Sequence, residues 1–127
     1  MSKTEPLFPD GDIPSTDLGK YQEWLAENAK YPEGVTYPVG GMCAESGELL
    51  NDLIRIQRKN HRLDVKVEDL GVETWLKFVD EGGDVLAYLV MFCKEMGIDL
   101  SQLAAYNKAK LTRKMVSGGF YRTEVGG

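Results

Sequence analysis

Four residues in two short segments have the types and spacing to do chemistry together. Glu45 and Glu48 form a Glu-x-x-Glu, and Glu81 and Asp84 form a Glu-x-x-Asp. The flanking residues repeat as well. When residues 42–56 are slid onto 78–92, Glu45 meets Glu81, Gly47 meets Gly83, Glu48 meets Asp84, Leu50 meets Leu86 and Leu53 meets Leu89. Both copies are apolar at the same helical steps, Met42, Leu49, Leu53 and Ile56 in one, Phe78, Val85, Leu89 and Phe92 in the other. At about 100° per residue, Glu45 and Glu81 lie about 60° from the centre of the apolar stripe, and Glu48 and Asp84 about 120°. A three-residue spacing stacks the two carboxylates of each copy on one face. Two such helices packed through their stripes bring four carboxylates to one edge of the seam. Four negative charges that close repel, and a hard divalent cation with oxygen ligands relieves them. Ordinary boundary acids of amphipathic helices would explain one copy; a second copy in matching register favours the metal.

These segments have to be positioned by helices. The chain has 127 residues, enough for one domain with a core. Asp17 and its neighbours offer caps for a helix over about 17–29, with Leu18, Tyr21, Leu25 and Ala29 on one face. Trp24 stands beside that face, either in the core or walling a ligand pocket. Residues 31–41 are dense in Pro and Gly and read as a break; their two Tyr-Pro steps, Tyr37 included, offer rings on which a base or sugar can rest. The first acidic helix then runs to about Lys59. Arg55 follows Glu48 by seven residues, on the carboxylate flank and within reach of a metal-bound phosphate; a cation near a helix C-terminus is the plainer reading. Residues 60–71 are a polar connector with some helix toward its end. The second acidic helix spans about 72–97, where Gly97 is placed to stop it. Gly82 and Gly83 inside it, and Gly47 in the first copy, are expected where helices approach closely. Tyr88 follows Asp84 by four and is expected to face the ligand, with Asp52, its counterpart in the first copy, as a sugar or supporting contact. Asp99 and Gln102 spell a capping box for a last helix whose inner face carries Leu100, Leu103, Leu111 and Met115. Asn107 falls within that face and Lys110 at its edge; Asn107 is either a satisfied core amide or a ligand contact. Three prolines before residue 15 mark an extended lead-in, and the chain loosens after residue 116, so the domain core spans about 16–116 with flexible ends.

Fifteen basic against 20 acidic residues give a net charge of −5, which speaks against a nucleic-acid surface but not against a phosphate ligand held by a few local cations. No stretch approaches a membrane span, and the start of the chain lacks the apolar core of a signal peptide, so a cytoplasmic protein is expected. Cys43 and Cys93 read as buried free thiols. The lone His61, in a polar connector, disfavours a Glu-x-x-His di-iron bundle. From 85 to 93 the second acidic helix is apolar nearly all round, more than one small subunit can cover, so a homodimer or homotetramer is expected.

Three stretches together resemble a known family. They are Tyr37-Pro-Val-Gly-Gly-Met-Cys-Ala-Glu-Ser-Gly-Glu, Asp80-Glu-Gly-Gly-Asp-Val-Leu-Ala-Tyr-Leu and Asn107-Lys-Ala-Lys-Leu. In this order they resemble the MazG-like, all-α nucleoside-triphosphate pyrophosphohydrolases over about residues 21–120. The resemblance implies an all-α, four-helix array and hydrolysis of a nucleoside or deoxynucleoside triphosphate to the monophosphate and pyrophosphate. It implies Mg²⁺, with Mn²⁺ as a substitute, held by Glu45, Glu48, Glu81 and Asp84, with Glu45 or Glu48 as general base. It further implies substrate contacts from Asn107 and Lys110, with Arg55 at a position often basic. Ala44 stands where many members carry an additional Glu, which leaves the subfamily and its substrate open. Two other readings remain: a hydrolase of another pyrophosphate-containing nucleotide such as phosphoribosyl-ATP, and a non-catalytic helical dimerisation or regulatory module.

Overall fold

The computed structural model describes residues 13–118. The expected lead-in up to residue 12 and the tail beyond 118 lie outside the described residues. Within them the chain is all-helical, with four α-helices: α1 (Leu18–Asn28), α2 (Thr36–Asn60), α3 (Val72–Met96) and α4 (Leu100–Val116). A single 3₁₀ turn at Val67–Asp69 interrupts the connector between α2 and α3.

The helix ends follow the local chemistry. Asp17 Oδ1 accepts from the Lys20 N–H at 3.0 Å and starts α1. Asp99 and Gln102 form the reciprocal capping box of α4, both bonds at 2.9 Å. Gly97 ends α3 at φ 74°, a left-handed conformation that costs glycine nothing.

One boundary departs from expectation. Residues 36–41, read as part of a break, are the first turns of α2. Pro38 stands third in that helix, where the backbone N–H has no intrahelical acceptor to lose. The helix thus starts upstream of the acids and carries Tyr37 with it.

α2 and α3 form the most extensive packing in the chain. They run antiparallel, because Lys77 near the start of α3 reaches Asp52 while Tyr88, further along, lies over Gly41 near the start of α2. A methyl group on Gly41 would collide with the Tyr88 ring, so the close approach sits here. It does not sit at Gly47, Gly82 or Gly83, where an added methyl would meet open space. The expectation that those three glycines mark helix contact is therefore corrected.

α1 and the start of α4 pack on α3, and Gln22 Oε1 ties α1 to α4 by accepting from the Leu100 N–H at 2.7 Å. Leu25, Val90 and Cys93 are the buried apolar centre. Cys43, expected to be buried, is exposed, because its position on α2 points away from the α3 seam. The apolar stretch of α3 is covered only in part: Val90 and Cys93 are buried, and the others between 85 and 93 are half-buried. No helix among the described residues is long and apolar enough to cross a membrane.

Candidate metal and nucleotide site on the α2–α3 seam

The antiparallel register that sets Asp52 opposite Lys77 and Gly41 opposite Tyr88 also sets Glu48 opposite Glu81 and Glu45 opposite Asp84. The electrostatics follow that pairing. Burial, then the charges of Glu48 and Asp84, push the Glu45 carboxyl above its ordinary value. Glu81 is only 6% exposed, and its pKa is pushed up to about 7. The main cause is burial, followed by a hydrogen bond with Asp52 and the Asp52 charge. Lys77 opposes that rise, and Glu48 adds to it. The four acids singled out in the sequence therefore share one edge of the seam.

Asp52 joins them more closely than its sequence position announced. It is buried, and its Oδ1 accepts from Lys77 Nζ at 3.0 Å with Arg55 Nη1 at 3.5 Å. Glu48, Asn51, Asp52, Arg55, Lys77 and Glu81 line a cleft of about 320 Å³. Arg55 thus stands on the carboxylate flank as expected, though it is engaged with Asp52. Beyond Arg55 and Lys77 the cleft continues into a hollow of about 520 Å³ that also reaches Lys59 and the start of α3. Lys77 was not singled out in the sequence. The signal for it was its place four residues before Glu81, on the same helical face.

On the other side of the acids stands an aromatic corner. Tyr37 stacks on Tyr31, with ring centroids 5.6 Å apart and planes 12° apart. Tyr88 meets Tyr37 edge-on at 5.5 Å. A hydrogen bond with Tyr37 is the largest cause that pushes the Tyr88 phenol up to about 12, followed by burial and the charges of Tyr37, Glu45 and Asp84. Tyr88 and Tyr37 therefore stand beside Glu45 and Asp84. Tyr31 is held in turn by Glu95, whose Oε2 accepts from the Tyr31 hydroxyl at 3.2 Å and whose Oε1 accepts from the Gly34 N–H at 2.7 Å. Tyr21 feels the Asp84 charge as well, after its own burial. Trp24 stacks on Tyr21 at 6.4 Å but is 57% exposed. It belongs to the outer edge of this corner, not to a core within one chain.

Asn107 and Lys110 are not brought to the acids. Both are exposed on α4, and neither lines the cleft between α2 and α3. The inward placement of Asn107 is corrected: along the expected inner face of α4, Leu103 and Leu111 are only half-buried and Met115 is 60% exposed. α4 packs through α1 and α3, and its far half finds no cover among the described residues.

Among the described residues, no three Asp, Glu, His or Cys side chains converge tightly enough to cage a metal ion unaided. The donor set nonetheless fits a hard cation. Asp52 Oδ2 and Glu81 Oε2 are buried oxygens with no hydrogen-bond donor, the kind of group that a cation satisfies. Mg²⁺ takes one or two carboxylates and completes its shell with water and phosphate oxygens. Comparison with known proteins gave no matching family model, no matching curated protein and no matching solved structure.

Proposed function

We propose that this chain is a MazG-like, Mg²⁺-dependent hydrolase that cleaves a nucleoside or deoxynucleoside triphosphate into the monophosphate and pyrophosphate. The observation that carries the reading is the pairing of Glu45 with Asp84 and of Glu48 with Glu81 across one antiparallel seam, next to a corner of tyrosines. Acids alone would suit many cations. Acids flanked by stacked rings on one side and by Arg55, Lys59 and Lys77 on the other suit a ligand with an aromatic base at one end and phosphates at the other.

Glu45, Glu48, Glu81 and Asp84 would hold the ion, with Mn²⁺ as a substitute. The bound ion would neutralise phosphate oxygens and polarise the α-phosphorus. Glu45 is the better general base of the two candidates, since burial and its acidic neighbours raise its proton affinity. Tyr37 and Tyr88 would seat the base or sugar, with Trp24 at the rim. Arg55 would stabilise charge on the leaving pyrophosphate. Asn107 and Lys110 would serve the substrate from the α4 of a second copy, in a homodimer or homotetramer. Among the described residues sixteen large apolar side chains are exposed, Leu50, Trp75 and Tyr106 among them, which supports such an assembly. A cytoplasmic location accords with a nucleotide substrate.

The test is turnover of a triphosphate panel with Mg²⁺ and with EDTA, in water labelled with heavy oxygen. Monophosphate and pyrophosphate are expected, with the label on the monophosphate and no turnover in EDTA. Glu45→Gln, Glu48→Gln, Glu81→Gln and Asp84→Asn should each cost at least ~100-fold in rate. Orthophosphate with a diphosphate would mean attack at the γ-phosphorus and overturn the assignment. Turnover of phosphoribosyl-ATP alone would move the chain to the neighbouring substrate class. Absence of any Mg²⁺-dependent turnover would leave a helical assembly module.

A further inference from the structure

Asp52 lies one turn beyond Glu48 on α2, outside the two Glu-x-x-acid pairs. Two features set it apart from a surface acid. It is 7% exposed, and its two oxygens have different surroundings. Oδ1 is occupied by Lys77 at 3.0 Å and Arg55 at 3.5 Å. Oδ2 is buried without a partner, as is Oε2 of Glu81, the neighbouring acid across the seam, so only a proton shared by the two carboxyls or a cation can satisfy them. An ion pair alone would explain a buried aspartate with both oxygens facing its cations. It does not explain why the other oxygen is buried without a partner beside a second carboxylate in the same state. A buried acceptor with no donor is costly, and two on neighbouring carboxylates double that cost once both are ionised. A cation between them satisfies both, and the cleft of about 320 Å³ that they line, with Glu48 at its rim, leaves room for the water that completes such a shell.

The geometry points to Asp52 as a fifth carboxylate of the metal site: its Oδ2 ligates a divalent cation together with Glu81, while its Oδ1 stays paired with Lys77 and Arg55. This rests on the proposed metal-dependent function and adds a ligand to it. Lys77 then has a second effect. It competes with the cation for the charge of Asp52, so the site is tuned to bind metal less tightly than its acid count implies.

The experiment is calorimetric titration of the full chain with Mn²⁺, without nucleotide, in parallel with circular dichroism to verify the fold. Asp52→Asn is expected to weaken Mn²⁺ binding at least tenfold. Lys77→Met is expected to tighten it at least twofold. Asp80→Asn, an exposed acid on the same stretch of α3, measures the general effect of removing one negative charge and is expected to stay within twofold of the wild type. Asp52→Asn within twofold of the wild type, or no weaker than Asp80→Asn, would overturn the proposal and leave Asp52 a structural ion pair. Should Asp52→Asn fail to fold, Lys77→Met decides: unchanged or weaker binding there overturns the proposal. No Mn²⁺ binding by the wild type at millimolar concentration would instead strike the metal-dependent function itself, an outcome read from the wild type alone.

Discussion

Substituting Glu81 by Gln tests the electrostatic account of the seam without any substrate. In the folded chain Glu81 titrates at about 7, against an ordinary value of 4.5. The folded state therefore holds a proton that the unfolded state has released. For an acid raised in this way, the stabilising contribution is fully present below about pH 4.5 and is lost as pH rises through 7. At about 1.4 kcal/mol per unit, the separation has a ceiling of about 3 kcal/mol. The open rim of the cleft screens it, and about 1 kcal/mol is expected. The metal-free protein should accordingly lose about 1 kcal/mol between pH 5.5 and pH 8, roughly 4 °C in Tm for a domain of this size. Glu81→Gln removes the titrating group and offers an amide N–H to the donor-less oxygen of Asp52. It should flatten most of that slope and melt higher than the wild type at pH 8. The residual slope belongs to Glu45, whose pKa is raised in the same direction. Urea and thermal unfolding in EDTA at both pH values measure all of this. A wild type more stable at pH 8 than at pH 5.5, or a Glu81→Gln variant with the same slope, would refute the reasoning. Added Mg²⁺ should reverse the wild-type trend, since the ion binds the ionised acids and stabilises the folded state that holds it.

Other outcomes follow from single contacts. Gly41→Ala should destabilise the chain by about 1–3 kcal/mol despite the better helix propensity of Ala, because its methyl meets the Tyr88 ring; chemical unfolding reads the sign. Gly82→Ala and Gly83→Ala should each stabilise by about 0.5–1 kcal/mol, since nothing opposes their methyls. Tyr37→Phe should lower the Tyr88 phenol pKa, as followed by ultraviolet titration, because it removes the largest cause of the rise. Light scattering at micromolar concentration should give a dimer or tetramer, and a stable monomer would refute the claim that a second copy covers the apolar face of α3.

Sequence alone determined the local elements. Apolar positions at helical spacing marked all four helices, Asp17 and Asp99 marked two starts, and Gly97 marked one stop, because capping and helical periodicity are decided within a few residues. The repeated acids were legible for the same reason: a three-residue spacing places them on one helical face whatever that face meets. Pro38 misled the reading of α2 because a proline's effect depends on its distance from a helix start, and that start was itself unknown. The partners of each acid were another matter. Sliding one copy on the other matches Glu45 with Glu81, whereas antiparallel packing sets Glu45 against Asp84 and Glu48 against Glu81. Only that register buries Asp52 under Lys77 and leaves its other oxygen without a partner, since the two segments lie far apart in the chain and meet by tertiary contact. The same holds for the glycines. Gly41 takes the close approach and Gly47, Gly82 and Gly83 do not, because which residue faces a neighbouring ring is set by helix rotation and register, and a glycine carries no side chain to record it.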